Sequence, residues 1–151
     1  MPEPSLPSHG QRTLMGFDHG TRKIGIAVGQ EITAAARPLT ILANRNRRPD
    51  WNAIAGLIHE WRPDLLIVGL PYHLDGSESE QTRRAARFGR QLHGRTGLPV
   101  DTMDERLSSE AARTTFADLR RAGVRKRGAH KPLDDLAAAL ILEHWMLESR
   151  T

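Results

Sequence analysis

No cysteine occurs in the 151 residues, so neither disulfides nor thiolate metal sites are available, as suits a reducing cytosol. No apolar run approaches the length needed to span a membrane. The N-terminus also lacks the basic-then-apolar layout of a secretory signal. A soluble, cytoplasmic protein is expected. The seven histidines offer no HExxH or comparable pairing, and His59, His93 and His144 fall within helical patterns as surface or packing residues. No internal repeat and no second domain is visible. A chain of this length suits one domain with a proper core.

Charge is present but unevenly placed. The net value is +4, yet Arg113 to Lys131 holds seven Lys or Arg against one Asp, and the remaining chain holds 15 basic and 17 acidic residues. The basicity therefore belongs to one segment that could meet a phosphate backbone. Its plain alternative is an exposed helix end followed by a solvated loop.

Met1 to Arg12, with three prolines and no periodicity, reads as a disordered tail, leaving 13–149 as the single domain. The block Leu14-Met-Gly-Phe-Asp-His-Gly-Thr-Arg-Lys-Ile-Gly-Ile-Ala-Val-Gly29 then organises everything after it. An apolar run ends on Asp18, a turn follows at His19-Gly20-Thr21, and Ile24, Ile26 and Val28 alternate with small residues. That pattern predicts two strands joined by a tight turn, with Gly20 allowing close approach to the backbone. A third strand is expected over 37–42. Asn44 to Pro49 reads as a basic turn, and Asp50 as the N-cap of a helix closed by Pro63. Leu65-Leu-Ile-Val68 is a strand buried on both faces.

Ser77 and Glu80 have capping-box spacing for a helix running to about Gly94, with Arg83, Arg84, Arg87 and Arg90 mostly on its polar side. A strand is expected over 98–103, then a helix from Ser108 to Gly123. Pro132 sits at a first helical position, opening a last helix to about Glu148. Three β-like segments followed by alternating helix and strand give an α/β fold, a mixed sheet with helices packed on it.

In open α/β sheets ligands bind beyond the carboxyl ends of the strands. Asp18 ends the first strand and Glu105 lies just past the last. If these strands are parallel neighbours, both acids project into one crevice. Asp134 and Asp135 occupy the first turn of the final helix, where acids are also favoured by the helix dipole alone. At about 100° per residue Asp134 falls near Ile141 on the flank of the core stripe, while Asp135 points away from it. Asp134 is the better inward ligand. Asp18 has its own plain alternative as a turn former. Three clustered carboxylates without cysteine would make a hard-oxygen site for Mg²⁺ or Mn²⁺. Two such metals can activate a water and stabilise the leaving oxygen of a phosphodiester.

Four blocks carry a resemblance. They are Gly16 to Val28, Val68-Gly-Leu-Pro71 with Asp75-Gly76, Asp104-Glu-Arg-Leu107, and Leu133-Asp-Asp-Leu-Ala-Ala138. In this order, over about residues 13–148, the chain resembles the YqgF-type proteins, also called RuvX-like or Holliday-junction-resolvase-like, which are assigned to pre-16S ribosomal RNA cleavage. The resemblance implies a ribonuclease H-like fold: a five-stranded mixed sheet, its second strand antiparallel, with helices on both faces. It implies a catalytic, metal-binding triad of Asp18, Glu105 and Asp134, with Mg²⁺ or Mn²⁺ as cofactor. His19 departs from the family, which often has an aromatic residue there, and Tyr72-His73-Leu74 replaces a loop that often contains asparagine.

The expected function is metal-dependent phosphodiester hydrolysis at the 5′ end of pre-16S rRNA, with ribosomal precursor particles as possible partners. Arg22, Lys23, Arg106, Arg125, Lys126 and Arg127 are the candidate substrate contacts. Junction resolution on branched DNA is one alternative. A non-catalytic nucleic-acid-binding module for ribosome assembly, retaining its acids for folding or metal binding, is another. Asp-His-Gly-Thr also resembles the phosphate loop of actin-like and sugar-kinase ATPases, but those bind nucleotide between two domains.

Overall fold

The computed structural model describes residues 10–105 and 133–149, with side chains of the last segment from residue 136 onward. Its elements are β1 (Thr13–His19), β2 (Lys23–Gln30), β3 (Ala35–Ala43), α1 (Trp51–Trp61), β4 (Leu65–Leu70), α2 (Glu80–Thr96), β5 (Val100–Asp104) and α3 (Leu133–Ser149). The five strands form one sheet in the order β3-β2-β1-β4-β5. β2 runs antiparallel to β1 and β3, whereas β4 is parallel to β1 and β5 is parallel to β4. The expected mixed sheet with an antiparallel second strand is present.

Strand alternation decides which helix each residue meets. Along β1, Met15 and Phe17 enter the core shared with α1 and α2, while Leu14 enters the core shared with α3. In the first core Phe17 meets Phe88 edge-on at 5.6 Å, and Trp51 stacks on Phe88 at 5.5 Å. Burying an aromatic side chain this fully contributes about 1.5–3 kcal/mol. β4 is buried along its whole length, as its continuous apolar run predicts, because helices cover both sides.

Glycine sets how closely α3 lies on the sheet. A Cβ on Gly16 would stand 2.6 Å from Leu142 Cγ and 3.0 Å from the Ala138 carbonyl oxygen. Any side chain there would push the helix away. Further along α3, the Trp145 indole donates to Asp101 Oδ2 at 2.8 Å and lies under the Arg12 guanidinium. Arg12 and Asp101 mark the amino end of the parallel strands. The helix therefore runs antiparallel to β1, and its first turn is carried toward the carboxyl end.

Several expectations need adjustment. Asp50 does cap α1, accepting from Ala53 N–H at 3.1 Å. The α2 capping box is Ser79 with Thr82, however, two residues later than the Ser77–Glu80 spacing suggests. Ser77 is already engaged by Asp75, whose Oδ1 accepts from both its N–H and its hydroxyl. α2 also continues to Thr96, where Gly97 in the left-handed region (φ +73°) ends it. The last strand starts at Val100 rather than Leu98 and reaches Asp104.

Within the stretch expected to be a tail, Arg12 forms a 2.7 Å ion pair with Glu31. The expected helix over 108–123 lies outside the described residues.

Candidate active site

The carboxyl end of β1 is shaped by its tight turn. Gly20 N–H donates to the Lys23 carbonyl at 2.9 Å, and that carbonyl oxygen lies only 2.7 Å from where a Gly20 Cβ would be. Only glycine fits this closure without displacement. Two distant amides hold the turn from outside. Asn44 Nδ2 donates to the carbonyls of Gly20 (3.1 Å) and Thr21 (3.0 Å). Gln81 Nε2 donates to the His19 carbonyl at 2.6 Å, and its Oε1 accepts from the Thr21 hydroxyl at 3.3 Å. The result is an open cleft of about 290 Å³ lined by Asp18, Gly20, Thr21, Arg22 and Lys23.

Asp18 lies opposite Gly25 in the β1–β2 ladder. It shares a sheet face with Leu14 and Gly16, the face covered by α3. His19 points the other way and packs on Phe88 with centroids 4.8 Å apart. Burial, reinforced by the nearby Arg84 charge, holds the His19 imidazole below its usual pKa, although a backbone hydrogen bond opposes that shift. The side chain beside Asp18 is thus turned away from the acidic face.

The second acid follows β5, which β4 separates from β1, so the two acid-bearing strands are not direct neighbours. One step beyond the Phe17–Val68 pair, Gly69 sits beside Asp18, neighbouring strands being about 4.8 Å apart. A Cβ on Gly69 would stand 2.7 Å from Glu105 Cγ, 2.9 Å from Glu105 Cδ and 2.5 Å from Ile141 Cδ1. Glu105, immediately past β5, therefore folds back over Gly69 toward the position of Asp18. Ile141 reaches the same glycine from α3. Residue 134 lies seven positions before Ile141 and four before Ala138, on the same helix face. Its backbone enters at the carboxyl end of the sheet, where Asp18 and Glu105 also lie.

Of the residues singled out in the sequence, Asp18, Arg22 and Lys23 line one cleft, and Glu105 folds over Gly69, the β4 neighbour of Asp18. The helical position of Asp134 is brought to the same end of the sheet, but its side chain lies outside the described residues, as do Arg106, Arg125, Lys126 and Arg127. Among the described residues no group of three acidic or histidine side chains gathers. Asp18 and Glu105 are oxygen donors placed on either side of Gly69, where the Glu105 side chain occupies the space that a Cβ would need. This donor chemistry fits a hard divalent cation.

Sequence reasoning missed Gln81 and Asn44. Their partners lie 62 and 24 positions away, and no local pattern marks an amide for such a role.

The chain matches the RuvX family model, described as a Holliday junction resolvase, over residues 12–148. It is 54 % identical over 140 residues to a protein of Azotobacter vinelandii, covering 92 % of this chain and 96 % of that one. It is 49 % identical over 150 residues to a protein of Nitrosococcus oceani, covering 99 % and 93 %. Both carry the name "Putative pre-16S rRNA nuclease".

Among solved structures, the fold is similar to T. thermophilus RuvC in complex with a Holliday junction substrate. The TM-score is 0.60 at 18 % identity, over 91 % of this chain and 96 % of that chain. The yeast mitochondrial Holliday junction resolvase Ydc2 is similar with a TM-score of 0.56 at 11 % identity, over 94 % and 80 %. At such identities the likeness is one of fold, the ribonuclease H-like sheet that the sequence resemblance implies. The chain therefore belongs to the RuvX family, a family of nucleases.

Proposed function

We propose that this protein is a divalent-metal-dependent nuclease that processes the 5′ end of pre-16S rRNA in the cytoplasm. The observation that carries this reading is the Glu105 side chain folded over Gly69, the β4 residue beside Asp18, at the end of the sheet to which the first turn of α3 is also brought. The names of the relatives support the RNA substrate.

Asp18 and Glu105, joined by Asp134, would hold Mg²⁺ or Mn²⁺ through carboxylate oxygens. Bound there, such cations supply water activation and stabilisation of the leaving oxygen. The remaining work falls to the chain itself. Arg22 and Lys23, lining the same cleft as Asp18, offset the negative field of the acids and orient the scissile phosphate. Water adds to phosphorus and the bond to the 3′ oxygen breaks, leaving a 5′-phosphate and a 3′-hydroxyl. His19 packs on Phe88 on the opposite face of β1.

Asp18→Asn should lower the cleavage rate by roughly a thousandfold or more with substrate binding mostly intact. Thermal melts supply a second readout without substrate. Gathered carboxylates repel, so in EDTA the mutant should melt at or above the wild-type temperature. In millimolar Mg²⁺ only the wild type should gain stability, because the cation binds the folded site. If Asp18 merely stabilises its turn, the mutant will be less stable in both buffers and will cleave at the wild-type rate. Running the assay on pre-16S fragments beside four-way DNA junctions identifies the substrate, and cleavage of junctions alone would transfer the activity to branched DNA.

A further inference from the structure

The short connection between β3 and α1 is unusual in both charge and backbone. Arg45, Arg47 and Arg48 are all exposed and form no ion pair among the described residues. Arg45 and Arg48 exchange two backbone hydrogen bonds of 2.9 Å, which closes a two-residue hairpin with Asn46 and Arg47 at its tip. Both tip residues have positive φ, +51° and +62°. Asn tolerates this region, but the second position of such a turn is ordinarily glycine. Arg47 carries a side chain where backbone energetics favour none.

This hairpin is joined to the cleft. Asn44, the residue before it, donates its side-chain N–H groups to the Gly20 and Thr21 carbonyls, and its backbone N–H donates to the Arg22 carbonyl at 2.8 Å. The residues flanking Asp18 and the arginine hairpin therefore share one hydrogen-bonded framework. Arg22 lies at that junction, so cationic surface continues from the cleft onto the hairpin.

We infer that the hairpin of Arg45, Arg47 and Arg48 is a phosphate-binding site, which holds the nucleic-acid backbone next to the scissile bond and fixes its register through Asn44. The inference rests on the nuclease reading above for what occupies the cleft. The ligand chemistry is the phosphodiester backbone, common to RNA and DNA. Strain at Arg47 is consistent with a side chain retained for contact rather than for folding.

Two variants test this. Arg47→Gly removes a cation and relieves the positive-φ strain, so it should melt at or above the wild-type temperature yet bind more weakly. A merely structural residue would not move the two readouts in opposite directions. The triple variant Arg45→Ala/Arg47→Ala/Arg48→Ala is compared with Arg83→Ala/Arg87→Ala/Arg90→Ala on the exposed side of α2, which removes equal charge elsewhere. Binding of labelled single-stranded RNA and DNA is measured against salt concentration. The hairpin variant should flatten the slope by up to about 0.7 per lost phosphate contact, and the α2 variant should flatten it less.

Equal slopes for the two triple variants would mean that only the overall field matters, which overturns the site. So would an unchanged slope in the hairpin variant, or wild type binding neither polymer. A larger change on RNA or on DNA identifies the preferred backbone. An unchanged hairpin slope with Asp18-dependent cleavage discards the hairpin and keeps the nuclease. A flattened slope without such cleavage does the reverse.

Discussion

At the amino end of the central strands, acids are matched by donors. Glu31 accepts hydrogen bonds from Gly10 N–H and from the backbone N–H and guanidinium of Arg12. Asp64 accepts from Thr13 N–H at 2.8 Å, and Asp101 accepts from the Trp145 indole at 2.8 Å. At the carboxyl end, Glu105 folds over Gly69, the neighbour of Asp18, and Arg22 and Lys23 line the cleft beside Asp18. One end places carboxylates where they hold the chain together. The other brings Asp18 and Glu105 to neighbouring positions beside Arg22 and Lys23, where the proposed function would place a divalent cation and a phosphate.

If that division is real, the largest single effect away from the acids themselves should come from Gly69→Ala. The added methyl would crowd Glu105 and Ile141, and Glu105, having the more flexible side chain, would move. Displacing a catalytic group by about 1 Å can cost on the order of 100-fold in rate, whereas overpacking of this size costs about 1–3 kcal/mol of stability. Cleavage assays beside denaturant melts check the ratio. A variant that loses stability but keeps its rate would remove Glu105 from the site.

The amino end should respond in the opposite sense. Glu31→Ala removes the carboxylate that accepts from the Arg12 guanidinium and from two backbone N–H groups. Arg12 is partly in water, so the cost is expected near 1–3 kcal/mol rather than the larger value for a wholly buried pair. Cleavage at a temperature where the mutant is folded should match wild type. Burial would raise the Glu31 pKa, but its hydrogen bonds with Arg12 outweigh this and the net shift is downward. The stabilisation is thus present above the unfolded carboxylate value of about 4.3 and disappears as pH falls through the folded one. A mutant as stable as wild type at pH 7 would show the pair to be ornamental.

The smallest expected effect belongs to His19→Phe. Burial depresses the folded imidazole pKa, so protonation favours the unfolded chain. Wild type should lose stability as pH falls through the unfolded value of about 6.5 toward the folded one, and should feel nothing of this above it. The phenylalanine variant keeps the packing on Phe88 and lacks the titration. Subtracting its stability curve from that of wild type between pH 8 and 5.5 isolates the histidine. Parallel curves would mean that His19 is accessible to solvent and titrates normally.

Much of this molecule was legible in the amino-acid order. Alternation of Ile24, Ile26 and Val28 around glycines dictates a strand, the all-apolar Leu65–Val68 run dictates a strand buried on both faces, and Asp50 before Trp51 dictates a helix start. The Asp18, Glu105 and Asp134 candidates follow from strand ends and from a helical face, because these are local periodicities. Local reading failed at Ser77, where an Asx turn with Asp75 competed with the capping box and won.

Other features belong to tertiary structure alone. The sequence contains thirteen glycines and does not say that Gly69 is the one Glu105 folds across, or that Gly16 admits Leu142. Nor does it pair Gln81 and Asn44 with the turn after Asp18, or Glu31 with Arg12. Those pairings depend on which strands become neighbours and on how closely α3 settles on the sheet. Both are decided by packing between segments far apart in the chain, where no sequence period reaches.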